Sequence, residues 1–520
     1  MVISGDKSVY TISDNMTPSF KAVTAESPTT MKVALSVKYA LEATKNSNGF
    51  IVTASDGTTA TVEDVINYNA QNNREKNFTN TLLVKLSSDL DFSKTWSISH
   101  EKFEPVDGRE IGTANAIKIS LNDFVYDGED LGLTLDGNKA TFKVWAPVAS
   151  DVTILLYDDV SKVGNYKAET LAYKVAGSTT EVELKGTPSK EAKMTPDTST
   201  GVWSYVIEDA SAYKYYKYQI TNNGTTTYVC DIYAKAASPD SIAAQIIDIN
   251  EGTNYGSKAN YVNPFGNNGT SSKLYSDAII YEMHIRDWAK AIGGDGKFIE
   301  LAESDDFINH LKDIGITHVQ ILPAFDYAQP NSDEKYNWGY NPYHYNVPEG
   351  RYVKDMVDGS DAVKQFRELI LALHNANIAV IMDVVYNHTA GTGKGSLYDM
   401  TVPYYYYRLN KDGTYSNGSG CGNETDSEAP MFKKYMIDTL SNWMKNYHIN
   451  GFRFDLMGLH SKETMTEIYN ELYKIDPKVM VYGEPWTGGT ALVQNSTTGT
   501  ISINKGMGVG AFEDTFRNGI

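Results

Sequence analysis

One change of rhythm governs what this chain can become. Up to about Tyr275 the apolar residues come in short alternating runs such as "MKVALSVKY", "LLVKLS", "ATFKVWAP" and "DVTILLYD", broken by Gly, Asn, Asp and Ser. Period-two alternation with turn residues at short intervals predicts antiparallel β-sandwich modules. After Tyr275 the pattern becomes strand, loop, helix, repeated. Strand-like runs are "AIIYEMHIRD", "HVQILPAF", "AVIMDVVYN", "GFRFDLM" and "VMVYGEPW". Between them lie "DDFINHLKDIG", "DAVKQFRELILALHNAN", "MFKKYMIDTLSNWMKNYH" and "KETMTEIYNELYKID". In the second of these, Val363, Phe366, Leu369, Ile370 and Leu373 recur at helical spacing. Apolar strands alternating with such helices predict a parallel sheet covered by helices.

Polar residues gather at the C-terminal ends of the predicted strands: Asp287, Asp383, Asn387, His388, Asp455 and Glu484. That asymmetry selects a (β/α)8 barrel, whose chemistry sits on the C-terminal face of its strands. The rival, a doubly wound open sheet, lacks support because no Gly-rich turn follows the first strand to hold a nucleotide phosphate. Within "GFRFDLM", Arg453 and Asp455 sit two residues apart and therefore share one face of a strand. Adjacent strand ends converge in a barrel, so Asp455 and Glu484 can face each other across one bound molecule. Glycoside hydrolysis needs such a pair, one carboxylate to attack the anomeric carbon and one to protonate the leaving oxygen. Arg453 would keep Asp455 ionised and oriented, and burial or neighbouring charge would keep a proton on Glu484. Taken singly, these residues have plainer readings: a buried Arg–Asp pair is more often structural, and Asp383 with His388 lacks a third ligand at metal spacing. No metal site is assigned.

Composition narrows the partners. A formal charge of −19 argues against nucleic acid or an anionic membrane, and no stretch is long enough to span a bilayer. The 36 tyrosines and 7 tryptophans suit contact with sugar rings, although strand and core packing accounts for most of them. Cys230 and Cys421, the only cysteines, lie in different segments and cannot build a disulfide framework. The opening "MVISGDKSVYTISDN" lacks the basic-then-apolar run of a secretory signal.

With these motifs in view, a resemblance becomes specific. "DVVYNH", "GFRFDLMGLH" and "VYGEPW" resemble conserved stretches of the α-amylase superfamily of retaining glycoside hydrolases. "YNWGYNPYHYNVPEGRY", Tyr336 to Tyr352, is similar to the signature of type I pullulanases, with Asn341 where that signature usually has Asp. "YEMHIRD", "FVYDGEDLG" and "NGSGCGNETDSEAPMF" look like the same family, and the resemblance runs from about Phe124 to the end. It implies that Asp455 is the nucleophile and Glu484 the general acid/base. Arg453, Asp383 and His388 match residues around the sugar on the non-reducing side of the cleaved bond. Tyr340 matches a stacking or lining residue of that subsite, while Trp486 and Met457 would line the far side.

The organisation implied is multidomain: residues 1–121 a β-rich domain, 122–262 a β-sandwich resembling carbohydrate-binding modules, and 263–520 the N-terminal part of the (β/α)8 TIM barrel. About five strand-helix units are visible where a closed barrel has eight, and nothing after Glu484 matches the family's third carboxylate. The expectation is therefore the first portion of a longer enzyme, inactive on pullulan by itself. The implied activity is extracellular or cell-surface debranching of α-1,6 bonds in pullulan, amylopectin or limit dextrins, with retention. Water is the only obligatory co-substrate and no organic cofactor is required; a calcium ion is compatible with the acidic loops, without an assigned ligand set. Isoamylase-like action, an α-1,4-acting amylase or neopullulanase, and a catalytically silent glucan-binding fragment stay open as alternatives.

Overall fold

The computed structural model describes residues 17–164, 185–249, 275–499 and 504–519. The expected 262/263 boundary, and the "NPFGNNGTSS" stretch beside it, lie outside the described residues. The chain forms two compact units: the first is the chain up to Asp123 together with the short segments Asn222–Thr225 and Leu409–Thr414, and the second is the remainder from Phe124 onward.

The first unit holds two four-stranded antiparallel sheets. One orders Phe20–Ser27, Thr30–Ala40, Phe78–Leu86 and Val62–Asn67; the other orders Thr59–Ala60, Ile51–Ala54, Trp96–Ser99 and Arg109–Glu110. Alternation decides which face is inside: in Thr30–Ala40, Met31, Val33 and Leu35 are buried while the residues between them are not.

The second unit begins with two further antiparallel sheets, of which Lys139–Trp145 and Tyr215–Asn222 are inner strands. Phe142 on one meets Tyr216 on the other, ring centroids 4.8 Å apart. The second part of this unit is a six-stranded sheet, all pairs parallel. Its strands are β1 (Ile280–Met283), β2 (His318–Ile321), β3 (Ala379–Val384), β4 (Gly451–Phe454), β5 (Met480–Gly483) and β6 (Gly510–Ala511). They stand side by side in sequence order without reversal. A doubly wound sheet would reverse its order at a switch point, so that rival is removed.

Helices α1 (Asp305–Asp313), α2 (Gly359–Asn375), α3 (Pro430–Tyr447) and α4 (Lys462–Ile475) connect these strands. Their starts follow from capping chemistry. Ser304 and Ser461 accept from the amides of Phe307 and Thr464, Asp358 and Asp361 form a capping box, and Pro430 opens α3 where its missing N–H costs nothing. The apolar face of α2 predicted from spacing is the buried one: Val363, Phe366, Leu369, Ile370 and Leu373.

Two details differ from expectation. "AIIYEMHIRD" is not one strand: β1 stops at Met283 and a helix, Ile285–Ala291, begins two residues later, so Asp287 lies in a helical first turn. Among the described residues the parallel strands number six, one more than expected, because the two-residue β6 in "GVGAFED" is too short and too glycine-rich to show a period. Among the described residues, no helix is long and apolar enough to cross a membrane.

Candidate active site

Register builds the site. Asp383 of β3 pairs with Arg453 of β4, and Arg453 pairs with Tyr482 of β5, so the three side chains share one face of the sheet. Asp455 follows β4 at once, its amide donating to Val384 O, while Glu484 follows β5, its amide donating to Phe454 O. Three carboxylates thus arrive at the C-terminal ends of three adjacent strands.

Arg453 collects all three. Its Nη1 lies 3.0 Å from Asp383 Oδ1 and 3.0 Å from Asp455 Oδ1, and its Nη2 lies 2.6 Å from Glu484 Oε1. Burial opposes the guanidinium charge, yet the facing Asp383, with Tyr340, Glu484 and Asp455, drives its pKa above the usual arginine range. Asp383 is fully buried, and desolvation pushes its pKa up to about 8 against the pull of Arg453. Three negative groups share one cation here, so keeping a proton on the most buried of them is the least costly arrangement.

Each carboxylate is held on its second oxygen as well. Asp383 Oδ2 accepts from the Tyr340 hydroxyl at 2.6 Å. Asp455 Oδ2 accepts from Asn387 Nδ2 at 2.9 Å, and the same amide donates to the Asp455 carbonyl at 2.8 Å. Asn387 Oδ1 in turn accepts from His388 Nδ1 at 2.6 Å, which fixes the proton on that ring nitrogen. Burial lowers the pKa of His388 and favours the neutral imidazole. Glu484 Oε2 accepts from the amide of Leu456 at 2.9 Å. Leu456 reaches it by adopting a left-handed conformation, φ 41°, ψ 48°, which a non-glycine residue holds only at a cost of about 1–2 kcal/mol.

The remaining expected residues fall around this centre. Tyr340 lies with its ring 5.9 Å from Arg453 Cζ and stays half-buried. Trp486 is half-buried and packs against Phe512, ring centroids 6.3 Å apart, and Phe512 itself stands 5.8 Å from Arg453 Cζ. Met457 is fully buried, as is Asp383, and His388 nearly so. The free surface of the site therefore belongs to Asp455, Glu484, Tyr340 and Trp486. Sequence reasoning gave no role to Asn387, which the structure places between His388 and Asp455, nor to the Leu456 amide or Phe512. Asn341 also gains a reason: its Nδ2 donates to Ala328 O at 3.2 Å, a bond that aspartate could not make. No group of three or more His, Cys, Asp or Glu side chains able to hold a metal occurs among the described residues.

Comparison with known proteins shows what the chain as a whole is similar to. No protein-family model matches the chain. A pullulanase of Bacillus subtilis (strain 168) is 29% identical over 430 residues, covering 79% of this chain and 54% of its own length. The chain thus spans about half of that relative. Among solved structures, a pullulanase from Bacillus acidopullulyticus superposes with a TM-score of 0.76 at 28% identity, covering 96% of this chain and 71% of its own. A pullulanase from Paenibacillus barengoltzii, in complex with maltohexaose and α-cyclodextrin, gives 0.65 at 33% identity, covering 77% of this chain and 60% of its own. By sequence and by fold alike, this is a pullulanase-like protein of the glycoside hydrolase family 13 type.

Proposed function

We propose that this chain carries the nucleophile and the general acid/base of a debranching glycoside hydrolase, acting on α-1,6 bonds of pullulan, amylopectin or limit dextrins outside the cell or at its surface. The observation that carries the reading is the single guanidinium of Arg453 touching carboxylates from three successive strand ends, on a sheet of the pullulanase kind. The bound maltohexaose and α-cyclodextrin in the Paenibacillus barengoltzii relative support an α-glucan as ligand. The sheet is read as the first part of a (β/α)8 barrel, because six parallel strands follow in sequence order and bring their polar residues to one end.

In this mechanism an Asp455 oxygen attacks the anomeric carbon as the bond to the leaving oxygen breaks. Glu484 gives its proton to that oxygen, and a glycosyl ester forms on Asp455. Glu484, now a carboxylate, takes a proton from water; the water oxygen bonds to the anomeric carbon and Asp455 leaves. Two displacements return the original configuration. Arg453 and Asn387 aim Asp455 by holding one oxygen each. Buried Asp383 and His388 act as positioning residues, through Arg453 and Asn387 respectively. Tyr340 offers its ring to the bound sugar, and Trp486 lines the other side of the bond. The chemistry uses water and no organic cofactor.

Product analysis on pullulan, with this chain carried in a completed (β/α)8 barrel, tests the reading. Maltotriose, released first as the α-anomer by NMR, is the expected result, whereas panose points to α-1,4 cleavage and overturns it. Asp455→Asn is expected to remove turnover while glucan binding survives.

A further inference from the structure

The tract from Tyr336 to Asn341 carries an arrangement of rings that the fold itself does not require. Trp338 is 58% exposed and Tyr336 51% exposed. Singly exposed aromatics are ordinary, but this indole is held in place. Its Nε1 donates to the Tyr336 hydroxyl at 3.0 Å, and that hydroxyl donates to Asp287 Oδ2 at 2.8 Å. The Tyr336 ring rests against buried His284, centroids 5.1 Å apart, and His284 Nε2 lies 3.0 Å from Asn337 O. Gly339, at φ +89°, lets the loop approach closely: a Cβ there would stand 2.9 Å from Pro323 O and 3.1 Å from the Tyr327 ring. Ordering a solvent-facing indole through two hydrogen bonds sacrifices side-chain freedom without burying the ring.

What the arrangement provides is a path of faces. Trp338 stands 6.4 Å from Tyr340 with their planes at 72°. Tyr340 in turn bonds Asp383 and lies beside Arg453. Two rings turned against each other suit neighbouring pyranose units of an α-linked glucan, which are themselves turned along the chain. The C–H face of each unit meets the electron-rich face of an aromatic ring.

We infer that Trp338, fixed by Tyr336 and Asp287, is a stacking platform for a glucosyl unit of the α-glucan beyond the unit held at Tyr340. This rests on the debranching reading given above and adds to it a determinant of chain-length preference. Tyr336 and Asp287 are positioning residues for the platform.

The test is binding of maltotriose, maltotetraose and maltohexaose to the full chain carrying Asp455→Asn, with and without a change at Trp338. Trp338→Ala is expected to weaken maltohexaose binding about tenfold, the worth of one stacked ring, and maltotriose binding less. Trp338→Phe should keep affinity within about threefold, since it retains a flat face. Tyr336→Phe, which keeps its ring but loses both hydrogen bonds, should fall between them. Equal affinity of Trp338→Ala and its parent at every length overturns the platform while leaving the debranching reading intact. Failure of the parent to bind any of the three sugars overturns both.

Discussion

Arg453 Nη2 lies 2.6 Å from Glu484 Oε1, while the other oxygen of Glu484 accepts the Leu456 amide. Both oxygens face donors, so the side chain stands ready to accept a proton rather than to give one. To act as the acid, Glu484 has to take up a proton from water and give up the Arg453 contact as substrate enters and presents its glycosidic oxygen. The same contact then favours the carboxylate needed for the second displacement, in which Glu484 takes a proton from water.

This division of labour predicts how Glu484→Gln behaves. Turnover of pullulan should fall by about 10²–10⁴-fold, the usual worth of a positioned acid or base. Formation of the glycosyl ester from an activated aryl maltooligosaccharide should survive, because a good leaving group needs no proton. Pre-steady-state release of the aryl group checks it: a burst in the variant supports the assignment, and loss of the burst removes Glu484 from the acid role.

Arg453 is in contact with three carboxylates at once, and its removal should be felt as instability before it is felt as chemistry. Above about pH 8, where Asp383 gives up its proton, Arg453→Met leaves that carboxylate fully buried without a charge partner, a change that costs about 3–5 kcal/mol in comparable buried pairs. Arg453→Lys should recover only part of this, since a point charge cannot reach three carboxylates from one plane. Adding Asp383→Asn to Arg453→Met should cost less than the two changes summed. Urea denaturation of the four proteins measures the coupling; strict additivity would mean that Asp383 is stabilised by something other than Arg453.

Asp383 also sets a pH dependence whose sign follows from its environment. Burial raises its pKa from 3.8 to about 8, so the fold favours the protonated form. The unfolded chain releases that proton from about pH 4 upward. The stabilisation associated with the proton is complete below the unfolded value and is lost as pH rises through the folded one. Asp383→Asn cannot release a proton, so its stability relative to the parent should improve by about 1–3 kcal/mol between roughly pH 5 and pH 8. Thermal melts of both proteins across that range check the slope, and a difference that shrinks with rising pH contradicts it.

Much of this centre is legible in the sequence because strand geometry is simple. Period two alone puts Arg453 and Asp455 on one face, and the order of the strand ends brings Asp383 and Glu484 toward them. The helices are legible for the same reason, their apolar stripes and caps being local features. What escapes is whatever depends on contacts across strands or on unusual backbone. "NH" reads as an ordinary turn dipeptide until register sets Asn387 beside Asp455. Leucine gives no hint of a left-handed conformation, so the amide that Leu456 offers to Glu484 is invisible beforehand. The helical setting of Asp287 escapes because a helix starts two residues after β1 ends, too short an interval for hydropathy to resolve.

Asn387 gives a last test of how Asp455, the nucleophile proposed above, is aimed. Its amide holds one oxygen of Asp455 and that residue's carbonyl, while its own oxygen is held by His388. Asn387→Ala therefore removes the bond that fixes the rotation of the Asp455 carboxylate but leaves Arg453 on the other oxygen. A nucleophile misplaced by a fraction of an ångström loses rate more than binding. The expected outcome is a fall in kcat of about 10–100-fold with KM nearly unchanged. Asn387→Asp should do worse than Asn387→Ala, because it sets a second negative charge against Asp455. Steady-state kinetics on pullulan decides between this and a purely structural role: a structural role would lower melting temperature and kcat together, and would rank the two variants by stability rather than by charge.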